Sequence, residues 1–227
     1  TEQALIRQMV GREVVIEKKA KTQISQEVIL SVQNFTLPHP KLKNRNLLED
    51  ISFNLHQGEI LGIFGLMGAG RTELLESIFG LNSTALKGSM TVQQKSVKIQ
   101  TPKDAIANGI AFVTEDRKTE GLVLGMNIAS NISLTTLTSD KLLDARQEQQ
   151  NAQSYIDSLA IKTPSSQQLC LNLSGGNQQK VVLAKWLATN PSILMLDEPT
   201  RGIDINAKNE IYELIKKLSQ EGKSFIV

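Results

Sequence analysis

Residues 173–204, LSGGNQQKVVLAKWLATNPSILMLDEPTRGID, constrain the fold of this chain more than any other stretch. They read as a loop, a helix and a buried strand in quick succession. Ser174, Gly175 and Gly176 precede a helical run over residues 177–189. A hydroxyl and two small residues at a helix start leave backbone N–H groups facing outward, and such a start is a ready seat for an anion. Pro191 ends the helix, because proline lacks an amide hydrogen and clashes with the preceding turn. Residues 192–196 are a short apolar run suited to a buried strand, and the run stops at Asp197, Glu198 and Pro199. Two carboxylates at the tip of a buried strand are costly without a partner or a task.

A second glycine-rich turn lies upstream. Residues 60–64 are apolar and suit a central parallel strand, and GLMGAGRT follows at residues 65–72. This octet fits the phosphate-loop pattern G-x-x-x-x-G-K-[ST] at every position but one. Gly65, Gly68 and Gly70, with the small Ala69, let backbone N–H groups converge on phosphate oxygens, and Thr72 can offer its hydroxyl to magnesium. Where the pattern asks for lysine the chain has Arg71, which keeps the charge in a bulkier, planar, forked group. The glycines fall in the wrong order for the dinucleotide fingerprint G-x-G-x-x-G. Residues 73–79 continue as a helix that ends at Gly80.

The remaining segments arrange themselves around these two elements. Residues 28–35 and 47–55 are strand-like, with a polar turn between them, and can pair as an antiparallel edge. Residues 88–92 and 97–99 form a small hairpin. Thr101, Pro102 and Asp104 start a helix that Asn108 and Gly109 stop. Residues 110–113 are another buried strand with Glu115 at its end, and Asp116, Arg117 and Lys118 behind it read as a solvated charged loop. Residues 126–137 and 144–161 carry helical periodicity between the strand-rich halves, which places an inserted helical subdomain at about residues 116–176. Residues 206–218 form a last amphipathic helix, with Ile211, Leu214, Ile215 and Leu218 on one face. At the other end, a short amphipathic helix over residues 1–11 and a lysine-rich passage to residue 26 read as the tail of a preceding domain and a linker. The chain starts without methionine and stops inside an apolar strand, so a fragment of a longer protein is expected.

Composition closes several routes. A net charge of +2, spread along the chain, gives no support to a nucleic-acid partner. The single Cys170 excludes an intrachain disulfide framework and a cysteine metal cluster. No apolar segment approaches the roughly 20 residues that span a bilayer. No basic-then-apolar leader is present at Thr1, so a soluble, cytoplasmic domain is expected.

LSGG-x-Q-Q, followed after the helix by four apolar residues and DEPT, resembles the signature motif and Walker B of the ABC-type ATPases, and residues 65–72 resemble their Walker A loop. More narrowly, GAGRT at residues 68–72, EDRK at 115–118 with Glu120-Gly121 and Leu122-Val123 behind it, and GGNQQK at 175–180 resemble the second nucleotide-binding domain of the tandem ATP-binding subunit of bacterial ribose-, xylose- and galactose-type sugar importers. MVGRE at residues 9–13 is similar to the junction between the two domains of that subunit.

The resemblance implies an α/β fold: a P-loop ABC-ATPase core with an antiparallel β edge subdomain and an inserted α-helical subdomain. It implies a linker over residues 1–26 and an ABC nucleotide-binding domain over residues 27–227, cut at its C-terminus. ATP and magnesium are the implied cofactors. Gly65, Gly68, Ala69, Gly70, Arg71 and Thr72 would hold the triphosphate, Thr72 and Asp197 the magnesium, and Glu198 would act as general base. Glu115 stands where the family usually has a glutamine that touches the metal and the attacking water. Ser174, Gly175 and Gly176, with Gln178 of the same motif, would serve the γ-phosphate in a partner's site, and Asp204 would lie in the interdomain contact loop. The family's adenine-stacking place falls at His39, and its γ-phosphate histidine lies beyond Val227.

Implied partners are the first nucleotide-binding domain of the same polypeptide, transmembrane permease subunits and, indirectly, a periplasmic sugar-binding protein. Such a subunit sits peripherally on the cytoplasmic face of the bacterial inner membrane. Arg71 and Glu115 depart from the family pattern, whereas the signature and Asp197-Glu198 do not. The expectation is therefore asymmetric: this signature completes an active site on the first domain, while the Arg71 loop binds nucleotide with slow hydrolysis or none. The alternatives are a non-hydrolytic regulatory domain that binds nucleotide to dimerise, or the same machine carrying nucleosides or a signalling molecule.

Overall fold

The structure of the chain is a computed structural model that describes residues 25–137 and 144–227. The N-terminal helix and nearly all of the linker expected over residues 1–26, including the junction-like residues 9–13, lie outside the described residues.

Two sheets share the chain between them. In the first, β1 (Val28–Pro38) pairs antiparallel with β2 (Asn46–His56) and with β4 (Lys87–Val92), which pairs antiparallel with β5 (Lys95–Val97); the order is β2-β1-β4-β5. The β4–β5 turn is two residues, Gln93 and Gln94, both left-handed at φ 48 and 63. That is the turn type whose twist matches paired strands. It starts β5 two residues earlier than the hairpin strand expected at 97–99, because Gln-Gln carries none of the usual chemistry of such a turn.

The second sheet is parallel, in the order β3-β8-β7-β6, from β3 (Ile60–Leu61), β6 (Ile110–Val113), β7 (Ile193–Leu196) and β8 (Ser224–Ile226). The strand expected over residues 60–64 is only two residues long. It lies on the sheet edge, and beyond it only the Ile63 N–H keeps a sheet-like bond, 2.7 Å to the Val227 carbonyl.

Strand alternation divides the interior in two. Ile110, Phe112, Ile193, Met195 and Ile226 face one core, closed by the antiparallel sheet and by α1 (Arg71–Ile78). Ala111, Val113, Leu194, Leu196 and Phe225 face the other, closed by α5 (Gly175–Leu187) and α6 (Ile205–Gln220). A short α2 (Pro102–Ala107) precedes β6, capped by Thr101 and Asp104 as the sequence predicts. Helices α3 (Ile128–Ser133) and α4 (Ala145–Ser158) extend the second core.

These inserted helices are shorter than their periodicity predicts, for local reasons. Asn127 caps α3 by accepting from the Ser130 N–H at 2.8 Å, so the helix starts after it. Asp144 caps α4 from the Arg146 and Gln147 N–H groups, and Ala160 at φ 49 lies just past its end. A cap of this kind is worth about 1 kcal/mol. The fully buried Asn131 accepts from the Val123 N–H at 2.9 Å and donates to the Val123 and Asn127 carbonyls, which pins the chain ahead of α3. Beside it Cys170 is buried, and burial pushes its thiol up to about 11, the state of a packed side chain and not of a reactive thiolate. Among the described residues no helix is long and apolar enough to cross a membrane.

Candidate functional site

Three loops leave the parallel sheet at the C-terminal ends of β3, β6 and β7, the edge at which open α/β sheets bind ligands. The first carries residues 65–70 into α1. Gly70 is the helix N-cap, left-handed at φ 88, and makes no side-chain cap bond, so the first turn of α1 keeps its N–H groups for an anion. A Cβ at Gly70 would lie 2.7 Å from the Leu47 carbonyl of β2, so only glycine fits there. Gly68 is left-handed too, at φ 77, but has open space around it.

The third loop brings the carboxylates to the first. The Thr72 hydroxyl donates to Asp197 Oδ2 at 2.6 Å, and Asp197 is 5% exposed. Arg71 Nη2 donates to Glu198 Oε1 at 3.0 Å. Glu198 itself is left-handed at φ 44, a conformation that non-glycine residues hold where the surroundings impose it, commonly at functional positions. Glu115, at the end of β6, pairs with Arg201 just beyond this turn. The structure thus gathers Arg71, Thr72, Glu115, Asp197 and Glu198, drawn from places up to 127 residues apart. Arg71, Asp197, Glu198 and Arg201 line a cleft of about 680 Å³ whose walls are otherwise largely apolar, with Ile63, Phe64 and Leu75 among them.

Ser174, Gly175 and Gly176 stand elsewhere and do not line that cleft. Ser174 is the N-cap of α5; its hydroxyl accepts from the Asn177 side chain at 3.0 Å and, at 3.5 Å, from the Asn177 N–H. Gly176 packs against α6, where an added Cβ would fall 2.5 Å from Ala207 Cβ. Gln178 faces inward: it is 5% exposed, donates to the Cys170 carbonyl at 3.0 Å and accepts from Arg117 Nε at 3.4 Å. It therefore packs beneath the start of α5 and does not face solvent. Asp204 caps α6 by accepting from the Ala207 N–H at 2.9 Å. His39 Nδ1 accepts from the Lys41 and Leu42 N–H groups, which ties that imidazole into its own turn.

One reading of the sequence is overturned. Arg117 is not part of a solvated loop. Residues 117–121 form a π-helical turn capped by Asp116, and Arg117 reaches from it to the Arg201 carbonyl at 2.7 Å and the Gly202 carbonyl at 3.0 Å. The N–H groups of Lys118 and Thr119 hold Asp116 below its ordinary range, the first contributing most.

Comparison with known proteins agrees with this geometry. Residues 48–201 match the family described as ABC transporter. The chain is 48% identical over 227 residues to the ribose import ATP-binding protein RbsA of Rhodopirellula baltica, spanning 99% of this chain and 44% of that protein. It is 44% identical over 230 residues to the xylose import ATP-binding protein XylG of Thermoanaerobacter pseudethanolicus, of which it covers 46%. The chain therefore spans less than half the length of the curated relatives it matches. Its fold superposes on the dimeric ATP-binding cassette MJ0796 bound to ADP and phosphate with a TM-score of 0.73 at 23% identity, over 88% of this chain and 87% of that one.

Proposed function

Because this chain belongs to the ABC transporter family, we propose that it is the second ATP-hydrolysing half of a tandem ATP-binding subunit that drives sugar import. The observation that carries this reading is the separation of the two motifs: Arg71, Asp197 and Glu198 share a cleft that Ser174, Gly175 and Gly176 do not line. Each motif needs a partner to complete a site, and the first domain of the same polypeptide is that partner. The cargo follows the relatives, which import ribose and xylose by name. The subunit then docks on transmembrane permease subunits at the cytoplasmic face of the inner membrane and answers indirectly to a periplasmic sugar-binding protein.

In its own site, the loop of residues 65–70 and the start of α1 seat the phosphates, with Arg71 as the charged contact. Thr72 and Asp197 present two oxygens to magnesium, a hard cation that commonly takes one or two protein oxygens and completes its shell with phosphate and water. Bound there, the ion would offset the negative charge of the triphosphate. Glu198 takes the proton of the attacking water as the new bond to the γ-phosphorus forms and the bond to the bridging oxygen, which leaves with ADP, breaks. Here the Arg71 guanidinium lies on Glu198, and Arg201 lies on Glu115. Both carboxylates are engaged until the arginines move, which supports slow turnover at this site. The partner's site, completed by Ser174, Gly175 and Gly176, is then the fast one.

The test is ATP turnover by the full-length protein. Ser174→Arg removes nearly all activity, while Arg71→Ala removes the smaller share; equal losses contradict the asymmetry. The Arg71–Glu198 pair also favours a second reading, in which this half binds nucleotide without hydrolysing it. Glu198→Gln separates the two, since unchanged turnover of the full-length protein assigns this half to binding alone. Uptake assays with nucleosides beside pentoses decide the cargo.

A further inference from the structure

One guanidinium stands where three functional segments meet. Arg117 follows Glu115 by two residues, donates through Nη1 and Nη2 to the Arg201 and Gly202 carbonyls between Glu198 and Asp204, and approaches Gln178 of α5 through Nε. Gly175 makes room for it, because a Cβ there would lie 2.8 Å from Arg117 Nη2, whereas at Gly202, left-handed at φ 64, a Cβ would meet the guanidinium only in ordinary contact at 3.7 Å. The turn that carries Arg117 is fixed at both ends. Asp116 caps its start, and the buried Lys185 of α5 donates to the Gly121 carbonyl at its end. A π-turn is rare and tends to mark functional positions. A cation beside a helix N-terminus is also unfavourable unless acceptors offset it, and here two carbonyls do.

We propose that Arg117 is a positioning residue. It holds the start of the signature helix and the loop of residues 200–204 in one arrangement, and it ties both to the Glu115 loop of this domain's own site. The inference deepens the two-body reading given above and rests on it. Nothing in it requires Arg117 to touch nucleotide: it acts through Gly175, Gly202 and Gln178. The face offered to the partner's nucleotide therefore moves with the loop that senses this domain's own nucleotide.

The experiment uses the full-length protein and measures kcat, KM for ATP, Tm and amide hydrogen exchange. Arg117→Ala is expected to lower kcat roughly ten- to a hundredfold, the worth of one or two charge-assisted hydrogen bonds, and to change KM by less than about threefold. Arg117→Lys keeps the charge but not the fork and falls between the two. In both variants exchange quickens at residues 174–176 and 200–204 and stays as it was at residues 65–72. A lowered Tm with exchange quickened equally in both regions overturns the inference, because that pattern marks a structural role alone. So does unchanged kcat in Arg117→Ala when the wild type turns over. Absence of turnover in the wild type removes the two-body reading and this inference with it.

Discussion

Around the phosphate loop, Phe64, Leu66 and Met67 are 94%, 86% and 100% exposed, and the functional side chains meet one another in two pairs, Arg71 with Glu198 and Thr72 with Asp197. Around the signature the opposite holds. Gln178, Lys180 and Lys185 of α5 are 5%, 5% and 8% exposed, and each donates to a carbonyl of a different segment: Cys170, Ala160 and Gly121. A buried polar group costs free energy unless its bonds are made, so such groups rigidify the elements they join. Under the proposed function, the loop that would exchange an ion pair for a ligand is the exposed side, while the helix that would present a fixed face is bonded from beneath.

The sharpest way to break this contrast is one substitution made on both sides. Gly176→Ala drives a methyl into Ala207 of α6 and is expected to cost about 3 kcal/mol. Gly68→Ala meets nothing within 4 Å and bears only its left-handed backbone, about 1 kcal/mol. Urea unfolding of the two variants checks this, and equal losses would dissolve the distinction. Next in size, Lys185→Met keeps the packing but strands the Gly121 carbonyl, for an expected loss of about 2 kcal/mol, with faster amide exchange centred on residues 117–121.

Acid gives the smallest and most selective effect. Asp116, which caps the π-turn, is held below the ordinary 3.8 chiefly by the Lys118 N–H, and Glu210 below 4.5 chiefly by its bond to Lys180. A depressed carboxylate stabilises the fold above its unfolded value and loses that contribution as pH falls through its folded value. Protection of the π-turn amides, taken relative to their intrinsic exchange rate at each pH, should therefore fall as the pH drops below about 4, before global unfolding. A loss of protection that spreads evenly over the domain would argue against separate stabilisation of this side.

Much of the fold was legible because it is encoded locally. The apolar runs at residues 110–113 and 193–196, the helix start at Thr101 and the glycine-rich loop each declare themselves within a few residues. The gathering of Thr72, Asp197 and Glu198 was legible too, through the resemblance that their motifs carry. Arg117 was not, since its partners lie 61 to 85 residues away and its charged neighbours suggest solvent. The same holds for Gln178, whose inward direction depends on Cys170 and Arg117 together. The nearest clue was Gly175 itself, a helix-start glycine whose missing side chain is space that the guanidinium occupies.

Trp186 is the one tryptophan of the chain, and it sits on α5 against both cores. Its ring meets Phe79, just past the end of α1, edge-on at 5.5 Å and 86°. The indole therefore spans the seam between the phosphate-loop helix and the signature helix, and it makes the domain its own optical gauge. Ultraviolet emission, recorded without any attached dye, should shift whenever one helix slides against the other and stay constant when only the surface loops rearrange.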